Sequence, residues 1–117
     1  MCSGCKKRNE ARKRFSIEAT PRTLIIHLKR FTNFGTKIGE FVKYPQILSL
    51  KNYMSSTIDQ SGRAADETFD LYGVVVHQGG GCRSGHYFSY CKGFDGEWYD
   101  CNDDYVGRSK LEIVLRQ

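Results

Sequence analysis

The residues best suited to chemistry lie in two short stretches near the end of the chain. His86 follows a glycine-rich stretch, Gly79–Gly85, and an amide and two carboxylates follow further on as Asn102, Asp103 and Asp104. An imidazole held by a neighbouring amide or carboxylate is the orienting half of a nucleophilic triad. These residue types indicate acyl-transfer chemistry, provided that the fold brings the two stretches together.

A β-hairpin would bring them together. The residues after His86 are rich in aromatics, as strands are, and Asp95-Gly96 is a strong hairpin signal. A two-residue turn at Asp95-Gly96 would pair His86 with Tyr105, whereas a three-residue loop at Gly93–Asp95 would pair it with Asn102. Paired residues lie about 5 Å apart, so both registers predict that His86 lies near the amide and carboxylates. An ordinary hairpin without a catalytic role has the same geometry.

Most of the remaining chain has the pattern of strands and turns. Alternation of apolar and polar residues, or β-rich composition, predicts strands in four places. They are Arg14–Ala19, Thr23–Phe31, Phe69–His77 and Ser109–Leu115. Thr32–Gly39 is predicted to be a loop and Ser55–Glu67 an exposed connection. No amphipathic pattern of a dozen residues predicts a helix, so we expect mainly antiparallel β-structure.

Length and composition restrict the class of protein. A chain of 117 residues with 39% hydrophobic residues is one small domain or part of a larger one. No apolar run approaches the roughly 20 residues of a membrane span, and no signal segment opens the chain. The five cysteines are an odd number without regular spacing, which argues against a secreted disulfide framework. We therefore expect an intracellular protein, nuclear or cytoplasmic.

The beginning of the chain is basic and carries a possible half of a zinc site. The net charge of +5 is concentrated in Lys6, Lys7, Arg8, Arg12, Lys13 and Arg14. A solvated face is the usual role of such a run, and nucleic-acid binding is the alternative. Cys2 and Cys5 have the spacing of one zinc knuckle, but a tetrahedral site needs four ligands. A small basic zinc-knuckle protein is disfavoured because no second ligand pair follows.

Three ordered motifs carry a resemblance to a known family. They are Gly85-His86-Tyr87 with Trp98, Asn102, Asp103 and Val106; Pro21 and Leu24 with Leu28-Lys29-Arg30-Phe31; and Tyr72–His77. The first resembles the histidine box of the ubiquitin-specific proteases, which are papain-like cysteine proteases. The other two are similar to segments that precede that box in the family, and together the motifs cover nearly the whole chain.

The resemblance implies a fold and a place within it. It implies the α+β fold of the papain-like cysteine proteases, of which this chain would be mainly the antiparallel β part. That part comprises the palm and part of the fingers, with the helical thumb absent. Residues 1–117 would then be the C-terminal portion of the catalytic domain, with the N-terminal cysteine box and the final strand missing.

The resemblance also implies an activity and roles for particular residues. The activity is thiol-dependent hydrolysis of the bond between the ubiquitin C-terminus and a substrate lysine. The partners would be ubiquitin and ubiquitinated proteins, with no membrane. His86 would be the base, Asn102 the residue that orients it, and Asp103 a support for the loop or the oxyanion region. Cys2 and Cys5 match one knuckle of the family's zinc ribbon, so zinc would have only half a site.

The nucleophile is the part that the sequence lacks. The family's cysteine opens a helix in an Asn-x-x-x-x-Cys context, which Cys82, Cys91 and Cys101 do not share. We therefore expect the isolated chain to be inactive. The alternative is a catalytically dead module that still binds ubiquitin. A fragment, a truncated paralogue and an incomplete gene model all remain open.

Overall fold

The computed structural model describes residues 3–8, 10, 12–55 and 68–117, which contain two antiparallel sheets. The smaller sheet pairs β1 (Ile47–Ser49) with β2 (Thr68–Asp70), and a 3-10 turn at Lys51–Tyr53 follows β1. The larger sheet is a meander of β3 (Gly73–Gly81), β4 (Ser84–Lys92), β5 (Trp98–Asn102) and β6 (Tyr105–Ser109). A single helical turn, α1 (Leu111–Val114), ends the fold.

Side chains of the larger sheet alternate between two faces, as the pleat of a strand requires. The cross-strand pair of Tyr90 with Asp100 fixes which residues of β4 and β5 share a face. We call the front face the one that carries His86, Phe88, Tyr90, Trp98, Asp100 and Asn102. The back face carries Tyr87, Ser89, Cys91, Tyr99 and Cys101.

The connection between β4 and β5 gives a register that neither predicted turn has. Lys92 pairs with Trp98, so residues 93–97 form the connection and both predicted registers are wrong. The side chain of Asp95 organises this turn, because its Oδ1 accepts from the Glu97 amide at 3.1 Å and its Oδ2 from the Tyr99 hydroxyl at 2.6 Å. The Tyr99 hydroxyl and the Glu97 amide lower the pKa of the Asp95 carboxyl. Backbone hydrogen bonds close the same turn, since the Gly93 amide donates to the Glu97 carbonyl at 2.8 Å and the Gly96 amide to the Gly93 carbonyl at 3.0 Å.

A small apolar core lies where α1 packs against the front face. Tyr90, Trp98 and Val114 are buried, and five partly buried side chains surround them: Leu71, Val74, Val76, Phe88 and Leu111. The predicted strand Ser109–Leu115 is wrong, since β6 ends at Ser109 and α1 follows. One helical turn brings Leu111 and Val114 to the same side, against the core, whereas a strand would have separated them.

Two further predicted strands form no ladder. Within the described residues, Arg14–Ala19 contributes one bridge, from Ile17 to Met54, and Thr23–Phe31 contributes one, from Phe31 to Lys37. A strand needs a partner along its length. The predicted strand Phe69–His77 is divided between β2 and β3, and part of the predicted glycine loop belongs to β3 and β4.

The described chain leaves much apolar surface uncovered. Its radius of gyration is 19.5 Å, against about 13 Å for a compact domain of this length. Val75 on the back face is 75% exposed and Ile25 is 86% exposed. Among the residues described, no helix is long and apolar enough to cross a membrane. The prediction of mainly antiparallel β-structure is confirmed, and within the described ranges α1 is the one α-helix.

A matched pair of substitutions tests the location of the core. Val114→Ala should lower the free energy of unfolding by about 2 kcal/mol, because it removes two buried methyl groups and leaves a cavity. Val75→Ala makes the same chemical change at an exposed position and should stay within about 0.5 kcal/mol of the parent. Urea titration followed by Trp98 fluorescence measures both, and equal losses would contradict this core.

Candidate active site

His86 and Asn102 meet at one end of the front face. The His86 Nε2 lies 2.5 Å from the Asn102 Oδ1. The register that pairs Ser89 with Cys101 puts Asn102 opposite Phe88, so His86 is its diagonal neighbour. Diagonal neighbours on one face of a sheet lie within reach of long side chains. The observed register therefore still brings the imidazole to the amide.

This contact determines which nitrogen of His86 carries the proton. A carbonyl oxygen can only accept a hydrogen bond, so Nε2 must be the donor to Oδ1. In the neutral ring Nδ1 then keeps its lone pair. The free lone pair can accept a proton from a nucleophile that approaches the opposite side of the ring. The arrangement is therefore that of a base whose tautomer is fixed by its neighbour.

A second contact orients the plane of the imidazole. The ring of His86 stacks on that of Phe88, with centroids 6.4 Å apart and an interplanar angle of 18°. The His86 side chain nevertheless remains 44% exposed. Phe88 was not among the predicted site residues, although its position two residues along the same strand places it on the same face. The base is thus held at two points while one side stays accessible.

Asp103 lies beside this pair without contacting it closely. Its Oδ2 is 3.9 Å from the His86 Nε2, which is too long for a hydrogen bond, and its side chain is 76% exposed. Water screens a charge in such a position, so its electrostatic effect on His86 is small. Asp103 has φ +52° in the two-residue turn to β6, a left-handed conformation that aspartate tolerates. The predicted role for Asp103 stays a prediction.

The loop Thr32–Gly39 and the β3–β4 hairpin are joined next to the site. The Lys37 amide donates to the Gly80 carbonyl at 3.0 Å, and the Cys82 amide donates to the Gly35 carbonyl at 2.9 Å. Thr36 and Gly81 form an isolated bridge between the same segments. Backbone hydrogen bonds thus join the predicted loop Thr32–Gly39 to the glycine-rich stretch that precedes His86.

The cysteines of the sheet do not share the face of His86. Cys91 and Cys101 belong to the back face by strand alternation. Burial raises the pKa of the Cys101 thiol, as do the neighbouring Cys91 and Asp100. Cys82 lies in the β3–β4 turn, where its Sγ would be 2.7 Å from a Cβ at Gly35. None of these three thiols is positioned at the start of a helix, where a thiol's pKa is lowered.

The predicted zinc half-site stays a prediction. Cys5 is exposed, and Cys2 lies outside the residues that the structure describes. In residues 3–8, 10, 12–55 and 68–117, no group of three or more histidine, cysteine, aspartate or glutamate side chains could hold a metal ion. The described residues therefore do not supply a tetrahedral zinc site.

An antiparallel sheet that presents an imidazole to an amide oxygen is characteristic of the papain-like cysteine hydrolases. The family model described as ubiquitin carboxyl-terminal hydrolase matches residues 1–117. The chain belongs to this family, and the predicted α+β papain-like fold is confirmed. The described part of the chain is mainly antiparallel β-structure with one short α-helix.

Curated relatives match along almost the whole chain. Ubiquitin carboxyl-terminal hydrolase 42 of Homo sapiens is 44% identical over 117 residues, which are 99% of this chain and 8% of that protein. Ubiquitin carboxyl-terminal hydrolase 25 of Arabidopsis thaliana is 40% identical, over 99% of this chain and 17% of its own length. Probable ubiquitin carboxyl-terminal hydrolase 16 of Schizosaccharomyces pombe is also 40% identical, over 99% and 25%. The chain thus spans a quarter or less of each relative.

Solved structures show the same arrangement of the chain. The Ubp8-Sgf11-Sgf73-Sus1 SAGA DUB module aligns with a TM-score of 0.73 and 32% identity, over 87% of this chain and 23% of the matched one. A SAGA DUB module with a Ubp8 variant, bound to monoubiquitin, aligns with a TM-score of 0.62 and 34% identity. That alignment covers 75% of this chain and 19% of the matched chain.

Replacement of Asn102 should release the tautomer of His86. In Asn102→Ala the neutral ring loses the acceptor that holds a proton on Nε2, so both tautomers should become populated. Two-bond ¹H–¹⁵N correlation spectra of the labelled chain measure this, because the two ring nitrogens of His86 should then move toward a common shift.

Asn102→Asp is the matched control for this measurement. Its carboxylate also accepts a hydrogen bond, so His86 should keep its proton on Nε2. Ring-nitrogen shifts that stay the same in Asn102→Ala would contradict the hydrogen bond between the two side chains.

Proposed function

We propose that this chain supplies the base and its orienting residue to a cysteine-type deubiquitinase. The enzyme would hydrolyse the bond between the ubiquitin C-terminus and a substrate lysine. Residues 1–117 would form the C-terminal portion of the catalytic domain. His86 would be the general base and Asn102 the residue that orients it. Membership of the ubiquitin carboxyl-terminal hydrolase family supports this class of activity.

One observation carries the proposal. The 2.5 Å contact between His86 Nε2 and Asn102 Oδ1 leaves Nδ1 as the nitrogen that can accept a proton. A base for thiol chemistry needs such a free nitrogen on the accessible side of the ring. The stacking of His86 on Phe88 supports the same role, because it limits rotation of the imidazole.

The proposed reaction follows from that geometry. A cysteine thiol gives its proton to Nδ1 of His86 and attacks the scissile carbonyl as a thiolate. The Asn102 oxygen holds Nε2–H throughout, which keeps the imidazolium aligned when it protonates the leaving lysine amine. Water then hydrolyses the thioester, and His86 takes the proton of that water. Donors near the scissile carbonyl would stabilise the oxyanion, and Asp103 would support the backbone there.

We propose that the nucleophile lies outside these 117 residues. Cys91 and Cys101 are on the back face, away from His86, and burial raises the pKa of the Cys101 thiol. Cys82 packs against Gly35 in the contact between the hairpin and the loop. A catalytic thiol needs a place beside the base, and these positions do not offer it.

Ubiquitin is the proposed partner. A SAGA DUB module of similar fold was solved bound to monoubiquitin, and another bound to ubiquitin aldehyde. The second structure aligns with a TM-score of 0.60 and 34% identity. A module that binds ubiquitin without hydrolysing it is the alternative, which the positions of the three sheet and hairpin cysteines would favour for the isolated chain.

As an isolated chain, the protein should show little or no hydrolysis of a fluorogenic ubiquitin substrate. The physical reason is that, among the residues that the structure describes, no strand cysteine shares the front face with His86. Turnover is measured by release of the fluorophore, with a chain in which all five cysteines are replaced by serine as the control. Turnover that persists in that control would contradict a cysteine-type mechanism.

Activity should appear when the chain replaces the matched region of human ubiquitin carboxyl-terminal hydrolase 42. In that chimera His86→Ala should lower kcat/KM by on the order of 10⁴-fold or more, because the thiol loses its base. Asn102→Ala should cost less, since the residue orients the ring without exchanging protons. Cys82→Ser should stay within about a few-fold of the parent, as a thiol outside the reaction would. Loss of activity in Cys82→Ser but not in His86→Ala would refute the assignment.

A further inference from the structure

His77 carries a second imidazole close to the site, and the proposed reaction does not use it. Its ring lies between two aromatic rings, with centroid distances of 5.4 Å to Phe31 and 4.7 Å to Tyr87. Its Nδ1 is buried and has no hydrogen-bond partner within the described residues. Burying a polar atom without a partner costs free energy, so the shape and packing of this ring must compensate for it.

The ring fills the space beneath two glycines of the β3–β4 hairpin. A Cβ added at Gly85 would overlap the His77 Nε2, and one added at Gly79 would lie 3.2 Å from the His77 Cε1. Gly79 and Gly85 have φ +150° and +151°, a region that residues with a side chain rarely adopt. The hairpin backbone and the imidazole therefore occupy complementary space. Gly85 immediately precedes His86, so this packing fixes the backbone at the start of β4, the strand that carries His86.

The same residue anchors the loop Thr32–Gly39 to the hairpin. The Lys37 Nζ donates to the His77 carbonyl, while Phe31, at the start of the loop, packs edge-on against the His77 ring. The amides of Lys37 and Cys82 complete the contact through the Gly80 and Gly35 carbonyls. His77, on β3, thus contacts both the loop Thr32–Gly39 and the β3–β4 hairpin.

We propose that His77 is a positioning residue for His86. It lies on the back face, and its planar ring supports the backbone of Gly85 from below so that His86 emerges on the front face toward Asn102. Because Nδ1 has no partner within the described residues, the size and planarity of the ring perform this role. The proposal rests on the proposed function of the His86–Asn102 pair, which it extends to the residue that holds the pair in place.

The test uses the whole 117-residue chain, labelled with ¹⁵N, and its three histidines. His77→Val keeps a β-branched residue on the strand but removes the ring. The two ring-nitrogen shifts of His86 should then move toward each other, because the contact with Asn102 loosens and both tautomers are populated. His77→Phe restores a planar ring and should return the His86 shifts to those of the parent.

Matched controls separate positioning from general stability. Val75→Ala alters the same strand and the same face at a position that is 75% exposed, and it should leave the His86 shifts unchanged. Trp98, in the core next to α1, should keep its fluorescence in every variant. Amide exchange at Lys37 and Cys82 should accelerate in His77→Val and recover in His77→Phe.

Each outcome decides the proposal. Unchanged His86 shifts in His77→Val, or a failure of His77→Phe to restore them, would overturn it. Loss of Trp98 fluorescence together with the His86 signal would make His77 a residue of global stability, which would also overturn it. Asn102→Ala separates the two proposals. If Asn102→Ala leaves the His86 shifts unchanged, the function proposed for the pair fails. If Asn102→Ala changes the shifts but His77→Val leaves them unchanged, only the positioning role fails.

Discussion

The site depends on the pairing of β4 with β5. A sheet alternates side chains with a period of two, so a shift of one residue would move Asn102 to the back face and away from His86. The pairing of Tyr90 with Asp100 keeps His86 and Asn102 on the front face, and the Asp95 carboxylate stabilises the turn that sets this register. A turn at the far end of the hairpin from the imidazole therefore determines whether the imidazole meets an amide.

The strand pairing alone does not hold His86 in place. On the front face Asn102 binds its Nε2 and Phe88 stacks on its ring. On the back face His77 packs under Gly85, the residue before His86, and binds the loop Thr32–Gly39 through Lys37. The two faces act on the same short length of backbone, so a base that is 44% exposed can still have a defined orientation.

The apolar core is centred on the part of the front face that α1 covers, and Phe88 joins it to the site. Trp98 and Val114 are buried there, while Val75 and Ile25 remain exposed. A radius of gyration of 19.5 Å is consistent with a sheet whose back face is only partly covered within the described residues. Phe88 packs against the core and stacks on His86, so the residues that stabilise the sheet also contact the ring of the base.

The sequence by itself determined the residue types of the site, the family and the strand-rich character of the chain. Gly85, His86 and Asn102 are recognisable from the local sequence, and so is the alternation of aromatic residues along the strands. It did not determine the register, because hydrogen bonds of the Asp95 side chain and of the Gly93 and Gly96 amides form the turn, and turn propensities do not specify them. Nor did it determine α1, since helix and strand both suit Ser109–Leu115 and only the contact of Leu111 and Val114 with the core distinguishes them. The role of His77 likewise needed the tertiary structure: its ring meets Phe31 and Gly85 only after three separate segments have come together.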